Sequence, residues 1–103
     1  MDWSIYLAHF ASGAFIANSI PHFVNGISGK RFQSPFASPL GVGESPPLVN
    51  VVWGLVNFLF GYLLLYGVGS FEAGLTLDTL LFGLGFALMA ITLAWYFGRV
   101  RAG

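Results

Sequence analysis

Two histidines and four asparagines hold most of the side-chain chemistry this chain offers: His9, His22, Asn18, Asn25, Asn50 and Asn57. An unperturbed imidazole titrates near pH 6.5, so a histidine can switch charge or carry a proton. A carboxamide supplies two N–H donors and a carbonyl acceptor. The asparagines form two pairs with the same separation of seven, 18 with 25 and 50 with 57. The second pair sits in LVNVVWGLVNFLFG, where the phrase Leu-Val-Asn-x-x-x-Gly occurs twice. Seven residues is nearly two helical turns, so each pair shares a helix face. One stripe reads Asn50, Gly54, Asn57, Gly61, and the other Ala11, Ala14, Asn18, His22, Asn25.

Facing residues of two antiparallel helices have a constant sum of residue numbers, because both helices rise 1.5 Å per residue. Asn18 with Asn57 and Asn25 with Asn50 both sum to 75. The same register sets Gly61 against Ala14, and His22 against Trp53 and Gly54. Interhelical hydrogen bonds of this kind in lipid are worth about 0.6 to 2 kcal/mol each.

Two roles fit the seam. The leading one is packing, in which polar side chains fix a unique helix arrangement and take no part in binding. The other is a small ligand pocket made by Asn18, His22, Asn25, Asn50, Trp53 and Asn57, open to the cytoplasmic side, with His22 as its titratable member. Lys30 and Arg31 would stand at its mouth, as orientation signals or as contacts for an anionic headgroup. His9 lies about half a turn away from the stripe at the depth of Tyr66, which makes it a hydrogen-bonded packing histidine. Haem on His9 or His22 is the minor alternative, because the two lie about 20 Å apart along one helix and only a second subunit could complete the ligand pair. No other cofactor and no metal site is expected.

No catalytic set is assigned. The chain has no cysteine, hence no disulfide and no thiolate chemistry, and it lacks a Gly-rich phosphate loop, Gly-x-Ser-x-Gly and His-Glu-x-x-His. Its four carboxylates, Asp2, Glu44, Glu72 and Asp78, all fall outside the apolar spans, which departs from the embedded acid that proton-coupled exporters use. The four basic residues, Lys30, Arg31, Arg99 and Arg101, form two pairs, too few to follow a phosphate backbone, so nucleic acid is not an expected partner.

The elements that would position these groups follow from composition. Of 103 residues, 56% are hydrophobic and 8% charged, against roughly 25% charged in soluble domains. A soluble chain of this size would leave far too much Phe, Leu and Val in water. Three stretches free of Asp, Glu, Lys and Arg reach the roughly 20 residues needed to cross a bilayer. The fold class expected is an all-α membrane protein, one domain over 1–103. Its three transmembrane helices cover about 3–27, 46–68 and 77–98, joined by loops 28–45 and 69–76. MDWSIYLAHF lacks a basic leader region and reads as the start of a retained span.

Pro21 should kink the first helix or break it in two. Ser45 with Pro46 should start the second helix, and Thr76 or Asp78 the third. The first loop repeats Phe-x-Ser-Pro at 32–35 and 36–39. Such a Pro/Ser-rich segment seals the cytoplasmic end as an interfacial loop in preference to a binding lid, with Phe32 and Phe36 dipping into the interface. The basic residues of the first loop and C-terminus, against Glu72 and Asp78 in the second loop, give an N-out/C-in topology. Trp3, Tyr6, Tyr62 and Tyr66 then belong to the outer aromatic belt, and Trp53, Trp95 and Tyr96 to the inner one.

The third helix carries its own small-residue stripe, Gly83, Ala87, Ala90, Ala94 and Gly98, fit to pack on the first two helices or on a second copy. The expectation is a non-enzymatic multi-pass protein of the plasma membrane (the inner membrane, if bacterial). It would serve as a subunit of a larger membrane complex or as a homo-oligomer, with the bilayer and itself or another membrane protein as partners. A transporter or lipophilic-ligand binder built around His22 comes second, and an enzyme acting on a lipid or isoprenoid third.

Overall fold

Three helices account for most of the chain in the computed structural model, which describes residues 2–102. They are α1 (Trp3–Ile27), α2 (Pro47–Tyr66) and α3 (Leu77–Ala102). Two short strands, β1 (Phe32–Gln33) and β2 (Glu44–Ser45), pair antiparallel within the connection between α1 and α2, with Phe32 opposite Ser45 and Gln33 opposite Glu44. α1 is the middle element: α2 and α3 each lie against it and barely touch one another. α2 and α3 are long and apolar enough to cross a membrane. α1, at 25 residues, has the length but a more polar composition.

The interior is small and polar, while the large apolar side chains face outward. Ala8, Ala17 and Phe32 are the buried hydrophobic residues, whereas His9, Ser12, His22, Asn50 and Asn57 are among the buried polar ones. Leu59, Phe60, Leu80, Leu84, Leu88 and Ile91 are all exposed. Among the described residues, no buried side-chain nitrogen or oxygen lacks a hydrogen-bond partner. The polar interior is therefore paired, as burial of such groups requires.

Close backbone approach explains the small residues. A Cβ added at Gly61 would meet Ser12 O and the Ile16 side chain, one at Gly54 would meet Ser19 O and Phe23, and one at Gly26 would meet Pro47 O and Val51. The backbone pairs 12 with 61, 19 with 54 and 26 with 47 each sum to 73, so the α1–α2 register differs by two from the one expected from the asparagines. Gly61 accordingly faces Ser12 and Ile16 rather than Ala14. Ser12 Oγ donates to Gly61 O across the interface at 2.5 Å. On its other side α1 meets α3 through Gly13, packed on the Phe82 carbonyl, and Gly85, packed on the Phe10 carbonyl.

Helix ends differ in part from expectation. α1 runs without interruption through Pro21, so it is one helix and not two short ones. It starts at Asp2, whose side chain accepts from Ser4 N at 3.0 Å. The bonds from Ser4 hold the exposed Asp2 carboxyl below the usual carboxylate range. A depressed value means that this contribution is present above the ordinary carboxylate pKa and is lost as pH falls through the lowered one. α1 ends where Gly29, at φ 73°, turns the backbone left-handed and Lys30 N returns to Asn25 O.

Ser45 does not cap α2: Pro46 holds that position with no side-chain bond, and Ser45 is instead buried in β2. Two prolines at the start leave fewer free N–H groups for a cap to satisfy. Thr76 caps α3, its Oγ1 accepting from Thr79 N at 3.2 Å. Asp78 turns inward to His9. α3 continues to Ala102, past the expected end at Gly98, with Arg99 and Arg101 at the negative end of its dipole.

Candidate functional site

The residues that matter meet where the C-terminal half of α1 and the N-terminal half of α2 are covered by the β1–β2 loop. Asn50, fully buried, is the anchor. Its Nδ2 lies 3.0 Å from Phe32 O, 3.1 Å from Ser45 O and 3.4 Å from Pro46 O, so the amide nitrogen faces carbonyls from both strands and the helix start. That fixes the other end of the amide: Oδ1 must be an acceptor, and it lies 2.9 Å from His22 Nδ1. His22 therefore carries its proton on Nδ1 and donates to Asn50.

His22 Nε2 then presents a lone pair, and no group among the described residues takes it. His22 is 3% exposed, yet no buried side-chain nitrogen or oxygen is left unpaired among the described residues. The nitrogen thus opens onto the cavity that His22 lines. Phe32, Trp53 and Phe97 hold the imidazole edge-on, with ring centroids at 5.4, 6.4 and 6.4 Å.

This cavity measures about 290 Å³ and is lined by Asn18, His22, Gln33, Ser34, Trp53 and Tyr96, together with further loop residues. The loop is thus a wall of the pocket, with Gln33, Ser34, Pro35, Leu40 and Gly41 facing the space. Its two Phe-x-Ser-Pro copies part company. Phe32 and Ser34 are buried, Ser34 Oγ lying 2.5 Å from Ser45 Oγ. Phe36 is exposed and rests on Trp53, with centroids 5.2 Å apart.

α3 fastens the loop from the far side. Tyr96 donates its hydroxyl to Gly41 O at 2.9 Å. Arg101 donates to Gln33 Oε1 at 3.0 Å and to Glu44 Oε2 at 3.2 Å, its guanidinium 4.9 Å above the Phe32 ring. With Gln33 Oε1 taken by Arg101, the Gln33 amide N–H groups are left for the cavity.

Of the six pocket residues expected from sequence, Asn18, His22 and Trp53 line the space, and Asn50 and Asn57 stand behind them. Asn18 Nδ2 donates to Asn57 Oδ1 at 3.0 Å, and Asn57 Nδ2 to Trp53 O at 2.8 Å. Asn25 is not part of the site. Its amide folds back onto Pro21 O at 2.7 Å, one turn earlier on its own helix, and the expected pair with Asn50 does not form. The two-residue difference in register takes Asn25 out of reach, and Asn50 is already engaged by His22 and the loop.

Lys30 and Arg31 are exposed, and Arg31 donates to Glu44 O at 3.0 Å, clamping β2. Sequence reasoning missed Ser34, Gln33, Phe97 and Arg101. Ser12, Ser19 and Gly26 do repeat at the same interval of seven as Pro47, Gly54 and Gly61, a signal that was present in the chain.

The Asn18–Asn57 bond is testable by a double-mutant cycle with Asn18→Leu and Asn57→Leu. The expected coupling in detergent unfolding is about 0.6 to 2 kcal/mol. Additive single effects would mean that the pair contributes no mutual energy.

His9 is engaged at both nitrogens, not by Tyr66 but with Nδ1 3.2 Å from Asp78 Oδ1 and Nε2 3.2 Å from Val68 O. Its two neighbours are both oxygens, a carboxylate on one side and a backbone carbonyl on the other. Asp78 Oδ2 also accepts from Glu72 N at 3.0 Å, so this cluster ties the α2–α3 connection to α1. Neither nitrogen of His9 is free to hold iron, and no group of three or more potential metal ligands occurs among the described residues. Comparison with known protein families, with characterised proteins and with solved structures finds no match to this chain.

Proposed function

We propose that this chain is a three-crossing membrane protein, N-terminus outside, that binds a lipophilic molecule through a neutral hydroxyl-type headgroup at His22 on the cytoplasmic side. The observation that carries the reading is the unpartnered Nε2 of an otherwise buried His22, held in one tautomer by Asn50 and open to a cavity of about 290 Å³. Packing alone accounts for Asn18, Asn57 and Asn50, but it gives no reason to orient an imidazole lone pair toward space. An acceptor at His22 and donors at Gln33 suit a hydroxyl, which donates and accepts at once. The membrane setting is supported by outward-facing Leu and Phe around a small polar interior. The polar groups of α1 are turned toward its two neighbours, which suits a third crossing.

The test is organic extraction of the purified protein, followed by mass spectrometry of what came with it. Wild type should carry a lipophilic hydroxyl compound that His22→Phe, equally folded by thermal melting, does not. Identical extracts from the two proteins would sink the reading. The alternative of a packing subunit or homo-oligomer draws on one observation, the open space around Gly83, where an added Cβ would meet nothing within 4 Å. A ligand-free wild type that runs as a defined oligomer would favour it.

A further inference from the structure

We infer that the cleft between α1 and α3 holds the hydrocarbon chain of the molecule whose headgroup occupies the His22 cavity; the inference rests on the binding role proposed above. The cleft has a volume of about 540 Å³, is lined by Ala17, Ile20 and Pro21 of α1, and follows α3 from Phe86 to Arg101. The fifteen rises of 1.5 Å between them span about 22 Å of α3. That volume and length suit an extended alkyl or prenyl chain. Ala90, Ala94 and Gly98 keep it open, which gives the small-residue stripe of α3 a purpose other than helix contact.

The cleft and the head cavity are neighbours. Phe97 lines both. Phe32 lines the cleft and packs edge-on against His22, and its ring lies 4.7 Å from that of Phe97. Phe32 and Phe97 thus form the wall shared by the two spaces, and a molecule with its hydroxyl on Nε2 reaches the cleft past their rings. A second apolar depression, of about 610 Å³, adjoins Trp53 but is walled by α2 and Phe36 alone. A chain there would meet one helix and a single loop ring, whereas the α1–α3 cleft is lined by two helices and by Phe32.

The probe is a 4-alkylphenol carrying a diazirine at the end of a dodecyl chain, photolysed on the full protein in lipid nanodiscs, with adducts mapped by mass spectrometry. Adducts should concentrate on the cleft residues Ile20, Leu93 and Ala94 and be competed by excess 4-dodecylphenol. They should fall about tenfold in His22→Phe, the loss of one hydrogen bond at an otherwise unchanged site. Ala94→Phe, at an exposed position where the fold tolerates bulk, should move adducts out of the cleft while 4-methylphenol still perturbs the emission of Trp53, measured with Trp3 and Trp95 changed to Phe. Labelling that depends on His22 but falls on Leu48 and Val52 would overturn the tail path and leave the head site standing. Cleft adducts that neither competitor nor His22→Phe reduces would mean ordinary bilayer lipid and overturn it too. Absence of any His22-dependent labelling or Trp53 response would remove the head site itself.

Discussion

Asn50→Leu is expected to cost about 2–4 kcal/mol of stability, the largest effect of any single side chain in the site. The leucine fills similar space, so the loss is one of pairing. Phe32 O and Ser45 O would each lose a second donor and keep their partners in the β1–β2 ladder, whereas the buried Nδ1–H of His22 would lose its partner outright, at about 1–3 kcal/mol for a group left unsatisfied. The loop carrying β1 and β2 would come loose from α2, and His22 would lose its fixed tautomer. Denaturant unfolding in detergent measures this, with Asn25→Leu as the control. Asn25 bonds only its own helix, through Pro21 O, and should cost less than about 1 kcal/mol. Equal effects from the two substitutions would show that Asn50 is not the anchor.

Gly85→Ala should be nearly as damaging, at about 3 kcal/mol, for a steric reason. A Cβ there overlaps the Phe10 carbonyl, which is backbone and cannot rotate away, so α3 must retreat from α1. Two residues earlier on the same helix, Gly83→Ala meets nothing within 4 Å and should change stability by no more than about 0.5 kcal/mol. The comparison holds residue type, helix and depth nearly constant. Thermal melts of the two variants check it, and similar melting points would contradict the close α1–α3 approach.

Much of the architecture is legible because apolar runs without charge leave few alternatives to helix: the three long elements and their connections come from that signal alone. The bond between Asn18 and Asn57 is legible for a related reason, since polar groups at an interval of seven on a helix in an apolar chain need a partner. The asparagine arithmetic went astray at Asn25 and Asn50 because side chains reach diagonally. The register of the backbones is set by Ser12, Ser19 and Gly26 against Pro47, Gly54 and Gly61, small residues that attract no notice in a search for chemistry. Asn50 and His22 share a site with the loop because carbonyls of Phe32 and Ser45 converge there, and backbone carbonyls carry no sequence signature. Arg101 and Asp78 read as topology signals by charge, yet one binds the loop and the other an imidazole on α1. Charge counting cannot see such pairings.

The central place of α1 gives α3 the geometry of a lever. Its fulcrum is the backbone contact at Gly13 and Gly85, and its catch is the tip at Tyr96 and Arg101, hooked to Gly41, Gln33 and Glu44. Because α2 and α3 barely touch, loss of the contacts at Tyr96 and Arg101 would uncouple α3 from the loop without breaking the amide bonds that join α1 to α2.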